Sequence, residues 1–217
     1  MSVTIGPHVR AFSIDAAGTL LRLREPVAAT YHAHALAFGA TRSAPEIAAA
    51  FPEAMRSQRM LRAADPGWRG FWSAVVARTT GCDAPELLDA LYRHFAEPAA
   101  WRLADGAEHA LDVLRARGFR IAVISNWDDR LRSTLGGLGV LARIDALVVS
   151  AEVGVEKPDP RIFAIACTEL GVPPGELVHI GDDDDDDIAG ARAAGCGALH
   201  IERDLGGFAG LVRALDT

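Results

Sequence analysis

LVHIGDDDDDDIAGARAAG, residues 177–195, joins a short apolar run to six consecutive aspartates and then to a stretch of small residues. Residues 177–181 read as a strand buried on both faces, because no polar alternation interrupts them. Residues 187–194 read as a helix. A block of like charges is ordinarily solvated and disordered. Here it is clamped between a buried strand and a helix start, so at least part of it is expected to be ordered. Six adjacent carboxylates repel one another, and a bound cation would relieve that repulsion.

Working outward, the same alternation recurs. Residues 106–117 form an amphipathic helix with Ala107, Ala110, Leu111 and Leu114 on one face, and a strand is expected over 119–125. A helix over 129–138, with Asp128 as its N-cap, leads to a strand over 146–150. Asp159 and Pro160 start a helix over 159–170, an N-cap followed by proline at the first helical position. A strand over 197–201 and a helix over 207–215 close the chain. Alternating helices and strands imply a parallel sheet covered on both faces. Towards the N-terminus, RAFSID at 10–15 is a further buried strand ending in a carboxylate, followed by the small-residue loop AAGTL. Between about 25 and 100 the pattern changes to helices only, over 25–39, 44–62, 67–80 and 84–96, with breaks at Gly39, Pro66, Gly81 and Pro98. The last carries Leu87, Leu88, Leu91 and Phe95 on one stripe.

In open α/β sheets, ligands bind outside the carboxyl ends of the strands. Four such ends carry polar residues: Asp15 in IDAAGTL, Ser125 and Asn126 in VISNWD, Lys157 in GVEKPDPRIF, and the aspartates after Gly181. Lys157 is the only lysine in the sequence. Every other basic side chain is an arginine, so a compact ammonium has been kept at one place.

These four segments, in this order, resemble the four motifs of the haloacid dehalogenase superfamily, in the branch with a helical cap. The resemblance implies an α/β fold with a Rossmann-like parallel-sheet core, residues 1–21 and 100–217, and an inserted helical cap domain, residues 22–99. It implies a Mg²⁺-dependent hydrolase with Asp15 as the in-line nucleophile, forming an aspartyl-phosphate. Lys157 would neutralise the phosphoryl group and keep Asp15 ionised. Gly18, Thr19, Ser125 and Asn126 would join Lys157 in binding phosphate. Asp15, the backbone carbonyl of Ala17, Asp182 and, directly or through water, Asp187 would hold the metal. Asp183 is a candidate support for these ligands, and Asp184 to Asp186 are expected to face solvent.

One position departs from the phosphatase pattern. Such enzymes read DxDGT, with the second aspartate as general acid and base; here it is Ala17. Proton-transfer help of this kind is worth roughly 10²–10⁴-fold. Weak activity on a small phosphorylated metabolite is the expected outcome. Alternatives are a phosphate-binding or regulatory module with little turnover, and a haloacid dehalogenase, whose halide needs no proton. The dehalogenase pattern reads DxYGT and dispenses with the metal site, which the acidic run here retains. A phosphonoacetaldehyde hydrolase would need a cap lysine, and residues 22–100 contain none.

Composition narrows the partners. With 217 residues, half apolar and a net charge of −7, the chain suits a globular protein with a sizeable core. Acidity argues against nucleic acid or an anionic membrane, and no apolar run reaches a membrane span of roughly 18–20 residues. Three scattered cysteines and the absence of a leader-like N-terminus point to the cytoplasm. A small phosphorylated substrate and a monomer or homodimer are expected. The histidines form no metal-spaced cluster, and His179, inside a strand, reads as a satisfied core residue. Trp68, Phe71 and Trp72 read as cap core or as a lid over the substrate. Arg22 and Arg24 follow the first motif, close to the cap hinge, where they would meet either solvent or a substrate anion.

Overall fold

The computed structural model describes residues 4–64 and 67–216. The break expected at Pro66 lies outside the described residues. Five parallel strands form the main sheet: β1 (Ala11–Ile14), β4 (Arg120–Ser125), β5 (Ala146–Val149), β6 (Leu177–Gly181) and β7 (Gly197–His200). Their spatial order is β5-β4-β1-β6-β7. The chain reverses its winding direction at β1, so a crevice opens between the carboxyl ends of β1 and β6. Register is direct, with Ile14 opposite both Val123 and Ile180. Asp15, the next residue, is therefore level with Ile124 and Gly181, so it leaves the sheet beside Ser125 and the start of the acidic run.

Helices cover both faces, as the unbroken burial of β1 and β6 requires. On one side Phe12, Ile14, Ile121 and Val123 pack with Leu111 and Leu114 of α5 (Ala107–Ala116) and Leu211 of α10 (Phe208–Ala214). On the other, Ala122, Ile124 and Leu177 pack with Ile162, Phe163 and Ala166 of α8 (Pro160–Leu170). This second helix begins as expected, with the Asp159 carboxylate accepting from Arg161 N at 2.9 Å and Pro160 behind it.

The helical insert comprises α1 (Val27–Leu36), α2 (Ala44–Ser57), α3 (Arg69–Thr80) and α4 (Pro85–Ala96). Tyr31, Ile47, Val76, Leu87 and Leu91 form its centre. The sequence reading carried α2 on to residue 62. Instead α2 stops at Ser57 and a 3₁₀ segment, Arg59–Ala64, takes over. Two short strands that periodicity did not reveal frame the insert: β2 (Leu21–Leu23) pairs antiparallel with β3 (Trp101–Leu103). Three residues offer too short a window for a period-two signal. The strand expected over 146–150 ends at Val149, because Ser150 opens the single-turn α7 (Ser150–Val153). The segment read as one helix over 187–194 is a π-helical turn, Asp184–Ala189, running into α9 (Gly190–Ala193). Asp128 does not cap α6 (Leu131–Gly137); Arg130 occupies that position.

Candidate active site

Asp15, one residue beyond β1, is buried. Its Oδ1 accepts from Lys157 Nζ at 2.6 Å and from Ser125 Oγ at 3.3 Å. The ammonium of Lys157 also donates to Asp187 Oδ1, so one buried cation bridges two buried carboxylates. Burial pushes the Asp15 carboxyl up to about 7, against the pull of the Lys157 charge, and Asp187 adds to the rise. Lys157 is itself resisted by burial, yet the two carboxylates facing it carry its ammonium above the ordinary lysine range.

Asp187 is the most heavily engaged side chain of the acidic run. Beyond Lys157, its Oδ1 lies 3.1 Å from His179 Nε2. Its Oδ2 accepts from the backbone N–H groups of Asp182 at 3.0 Å and Asp183 at 3.1 Å. Burial resists the ionised form, but the His179 and Lys157 contacts overcome it and hold this carboxyl well below the usual range. His179 is fully buried, which lowers its pKa and keeps the ring neutral. A neutral ring beside an ionised carboxylate donates from Nε2, so Nδ1 accepts from Ser13 Oγ, 2.9 Å away. Both ring nitrogens are satisfied, as a core histidine requires, and the chain Ser13–His179–Asp187–Lys157–Asp15 runs through the sheet to its rim. Gly181 makes room for it: a Cβ there would collide with the Asp187 carboxylate.

Asp182 is exposed. Its Oδ1 accepts from Thr19 Oγ1 at 2.8 Å, fixing the first motif loop to the fourth. Gly18 is needed at that junction. Its φ of +90° suits glycine, and a Cβ would strike the Asp182 carboxylate. Asp15, Asp182 and Asp187 each offer an oxygen within 4.8 Å of the others. This donor set is hard and anionic, the chemistry that suits Mg²⁺. Asp187 enters any such site with both oxygens already hydrogen-bonded, whereas only one oxygen of exposed Asp182 is engaged among the described residues.

The remaining aspartates are structured rather than loose. Asp183 Oδ1 accepts from Asp185 N and Asp186 N, which tightens the turn. Asp184 pairs with Arg203 at 2.8 Å. Asp186 does not simply face solvent: it meets Arg59 of the insert at 3.3 Å and Asn126 Nδ2 at 3.2 Å. Asn126 itself holds the lysine loop. Its Oδ1 accepts from Lys157 N at 2.7 Å and its Nδ2 donates to Lys157 O at 2.9 Å. Its side-chain amide thus positions Lys157.

Insert and sheet domain meet at Asp128, which is completely buried. Its carboxylate accepts from Trp72 Nε1 of α3 at 2.7 Å and from Arg130 Nε and Nη2 at 2.8 and 2.6 Å. The Arg130 guanidinium also donates to Tyr92 O at 3.0 Å and stacks on the Tyr92 ring at 3.7 Å. Trp72 is therefore both core of the insert and a tie across the cleft. Arg22, on β2, pairs with Glu202 at 3.4 Å. Signals for His179, Asp128 and Arg130 were faint in the sequence. Only a polar residue inside a buried strand, and an Asp-x-Arg following a strand end, hinted at them.

A fold with this winding, an aspartate at the end of its first strand and a buried lysine beside it belongs to a defined class. The family model for haloacid dehalogenase-like hydrolases matches residues 9–195, and the chain belongs to that family. It is 36% identical over 204 residues to human "haloacid dehalogenase-like hydrolase domain-containing protein 3", covering 87% of this chain and 80% of the human one. It is 37% identical over 123 residues to a Thermus thermophilus phosphoserine phosphatase, covering 56% of this chain and 48% of that protein. A dehalogenase crystal structure superposes with a TM-score of 0.70 over 92% of this chain and 87% of its own, at 24% identity, a likeness of fold. Among the described residues no helix is long and apolar enough to cross a membrane.

Proposed function

We propose that this protein is a Mg²⁺-dependent phosphatase of small phosphorylated compounds, working through Asp15. The observation that carries the proposal is the buried Lys157 ammonium, 2.6 Å from Asp15 Oδ1, with the Asp182 and Asp187 oxygens within 4.8 Å of Asp15. A carboxylate, a cation and a hard-oxygen donor set at one strand rim suit phosphoryl transfer. The phosphatase-named relative supports the same reading.

Asp15 attacks phosphorus with the oxygen that Lys157 does not hold, and the acyl-phosphate formed is then hydrolysed by water. Lys157 stabilises negative charge on the transferring group, and Asp187 and Asn126 keep it aimed. The Ser125 hydroxyl, 3.3 Å from Asp15 Oδ1, is in reach of a phosphoryl oxygen. Mg²⁺, held by Asp15, the Ala17 carbonyl and Asp182, would neutralise charge on the phosphoryl oxygens. No carboxylate stands at residue 17, so the protein supplies no proton to the leaving group from there.

A panel of phosphate esters assayed with and without Mg²⁺ tests the proposal. Wild type is expected to turn over some of them only with metal, and Asp15→Asn and Lys157→Ala none. Phosphate binding without turnover would identify a binding module instead. More than about a tenth of wild-type activity in Lys157→Ala would show that the lysine lacks the role given to it.

A further inference from the structure

Between the insert and the sheet domain lies a cavity of about 370 Å³ that reaches Ala17 and Gly18, beside the nucleophile. Eight of its twenty-one lining residues are aromatic, Phe51, Trp72, Phe95, Trp101 and Trp127 among them. The lining contains no aspartate, glutamate, serine or threonine among the described residues. Each of its three arginines already has a carboxylate partner, and the Arg62 Nε is left buried with no hydrogen-bond partner among the described residues. Arg130 is held by Asp128, Arg62 by Glu156 at 3.3 Å, and Arg22 by Glu202. Asn126, the two tyrosines and Arg62 apart, the chamber offers few side-chain partners for the hydroxyls or charges of a sugar or amino-acid phosphate. A flat apolar group would be matched.

Ala17 adds an independent constraint. With a methyl group at residue 17, no side chain there protonates the leaving oxygen, which favours leaving groups that are stable as anions. Alkoxides meet this condition poorly, and phenolates readily.

We infer that the substrates are aryl phosphates: monoesters of a phenol whose ring system occupies the cavity. The inference rests on the phosphatase reading above and specifies its leaving group. Asp15 forms a bond to phosphorus while the P–O(aryl) bond breaks. The electron pair departs on the phenolate oxygen, which takes a proton from solvent. Water then attacks the aspartyl-phosphate, and phosphate and the free carboxylate are released.

The test is steady-state kinetics with Mg²⁺ on four probes: acetyl phosphate, phenyl phosphate, 1-naphthyl phosphate and glycerol 2-phosphate. Acetyl phosphate needs neither the cavity nor an acid and reports the phosphatase chemistry alone. We expect 1-naphthyl phosphate to exceed glycerol 2-phosphate in kcat/KM by about 100-fold or more. Its second ring should lower KM about tenfold relative to phenyl phosphate, which has a similar leaving group. Leu88→Gln, in the cavity wall, should erase the naphthyl advantage while acetyl phosphate turnover stays intact, which also reports folding. Turnover of acetyl phosphate with no preference for naphthyl over glycerol 2-phosphate overturns the inference and leaves the phosphatase standing. A naphthyl preference untouched by Leu88→Gln overturns the placement of the ring. Failure on all four overturns the phosphatase reading itself.

Discussion

Replacing Asp187 by asparagine removes a charge and keeps the shape. Four donors face the native carboxylate: Lys157 Nζ, His179 Nε2 and the N–H groups of Asp182 and Asp183. The asparagine oxygen can still accept from the two backbone groups. Its NH₂ then faces His179 and Lys157. The histidine can adapt by exchanging tautomers with a rotation of the Ser13 hydroxyl, but the ammonium has no such option. Lys157, with a side chain only 3% exposed, keeps Asp15 as its remaining anionic partner. Removing one member of a buried ion network costs about 3–5 kcal/mol, and the surviving Asp15 contact places the expected loss at about 3 kcal/mol. For a chain of this length that lowers Tm by roughly 6–12 °C. Urea denaturation and calorimetry measure it. With Lys157 released from one anchor, kcat should fall about 100-fold. The pH dependence has a definite sign. The folded state holds the Asp187 carboxyl below its ordinary value, so it binds fewer protons there than the unfolded chain does. The wild-type advantage is therefore complete above about pH 4–5 and shrinks as pH falls further. A loss under about 1 kcal/mol, with kcat unchanged, would refute the role given to Asp187.

Three further outcomes follow from the same geometry. Gly18→Ala, which drives a methyl group into the Asp182 carboxylate at a φ of +90°, should cut kcat/KM about 100-fold or more and raise the Mg²⁺ needed for half-activation; unchanged metal dependence would count against Asp182 as a ligand. Ala17→Asp should raise turnover of alkyl phosphates by about tenfold or more, and a correctly folded variant with an unaltered rate would show that proton transfer is not limiting. Trp72→Phe removes the 2.7 Å bond to buried Asp128 and should cost about 1.5–3 kcal/mol, mostly as a raised KM if the tie aligns the cavity walls; a variant that loses stability alone would assign the bond to folding only.

The legible parts of the molecule were those written in local chemistry. Buried strands such as AFSI and LVHIG announce themselves because parallel sheets hide both faces. Asp159 and Pro160 mark a helix start by capping rules alone. Asp15, Lys157 and Asp182 could be read because each ends or follows a strand, and strand order then brings them to one rim. Asp187 was legible as a member of the site, but its part in aiming Lys157 was not, because that depends on a lysine thirty residues away in sequence. Likewise, the hold of Asn126 on the lysine loop emerges only when that loop folds onto its amide. The β2–β3 pair and the Asp128 tie escaped because neither has a sequence period: each is a meeting of segments dozens of residues apart.

The pairing of β2 with β3 has a consequence for how such proteins diversify. Backbone bonds from Ala104 N to Leu20 O and from Arg24 N to Ala100 O zip the outgoing and returning chain together just above the catalytic floor. The helices beyond that zipper begin and end at neighbouring points. A different bundle could be spliced onto the same two stubs without moving a strand of the main sheet. Chemistry and ligand choice are thus carried by separately replaceable parts, and selection can rewrite the chamber while the aspartate and its lysine stay where they are.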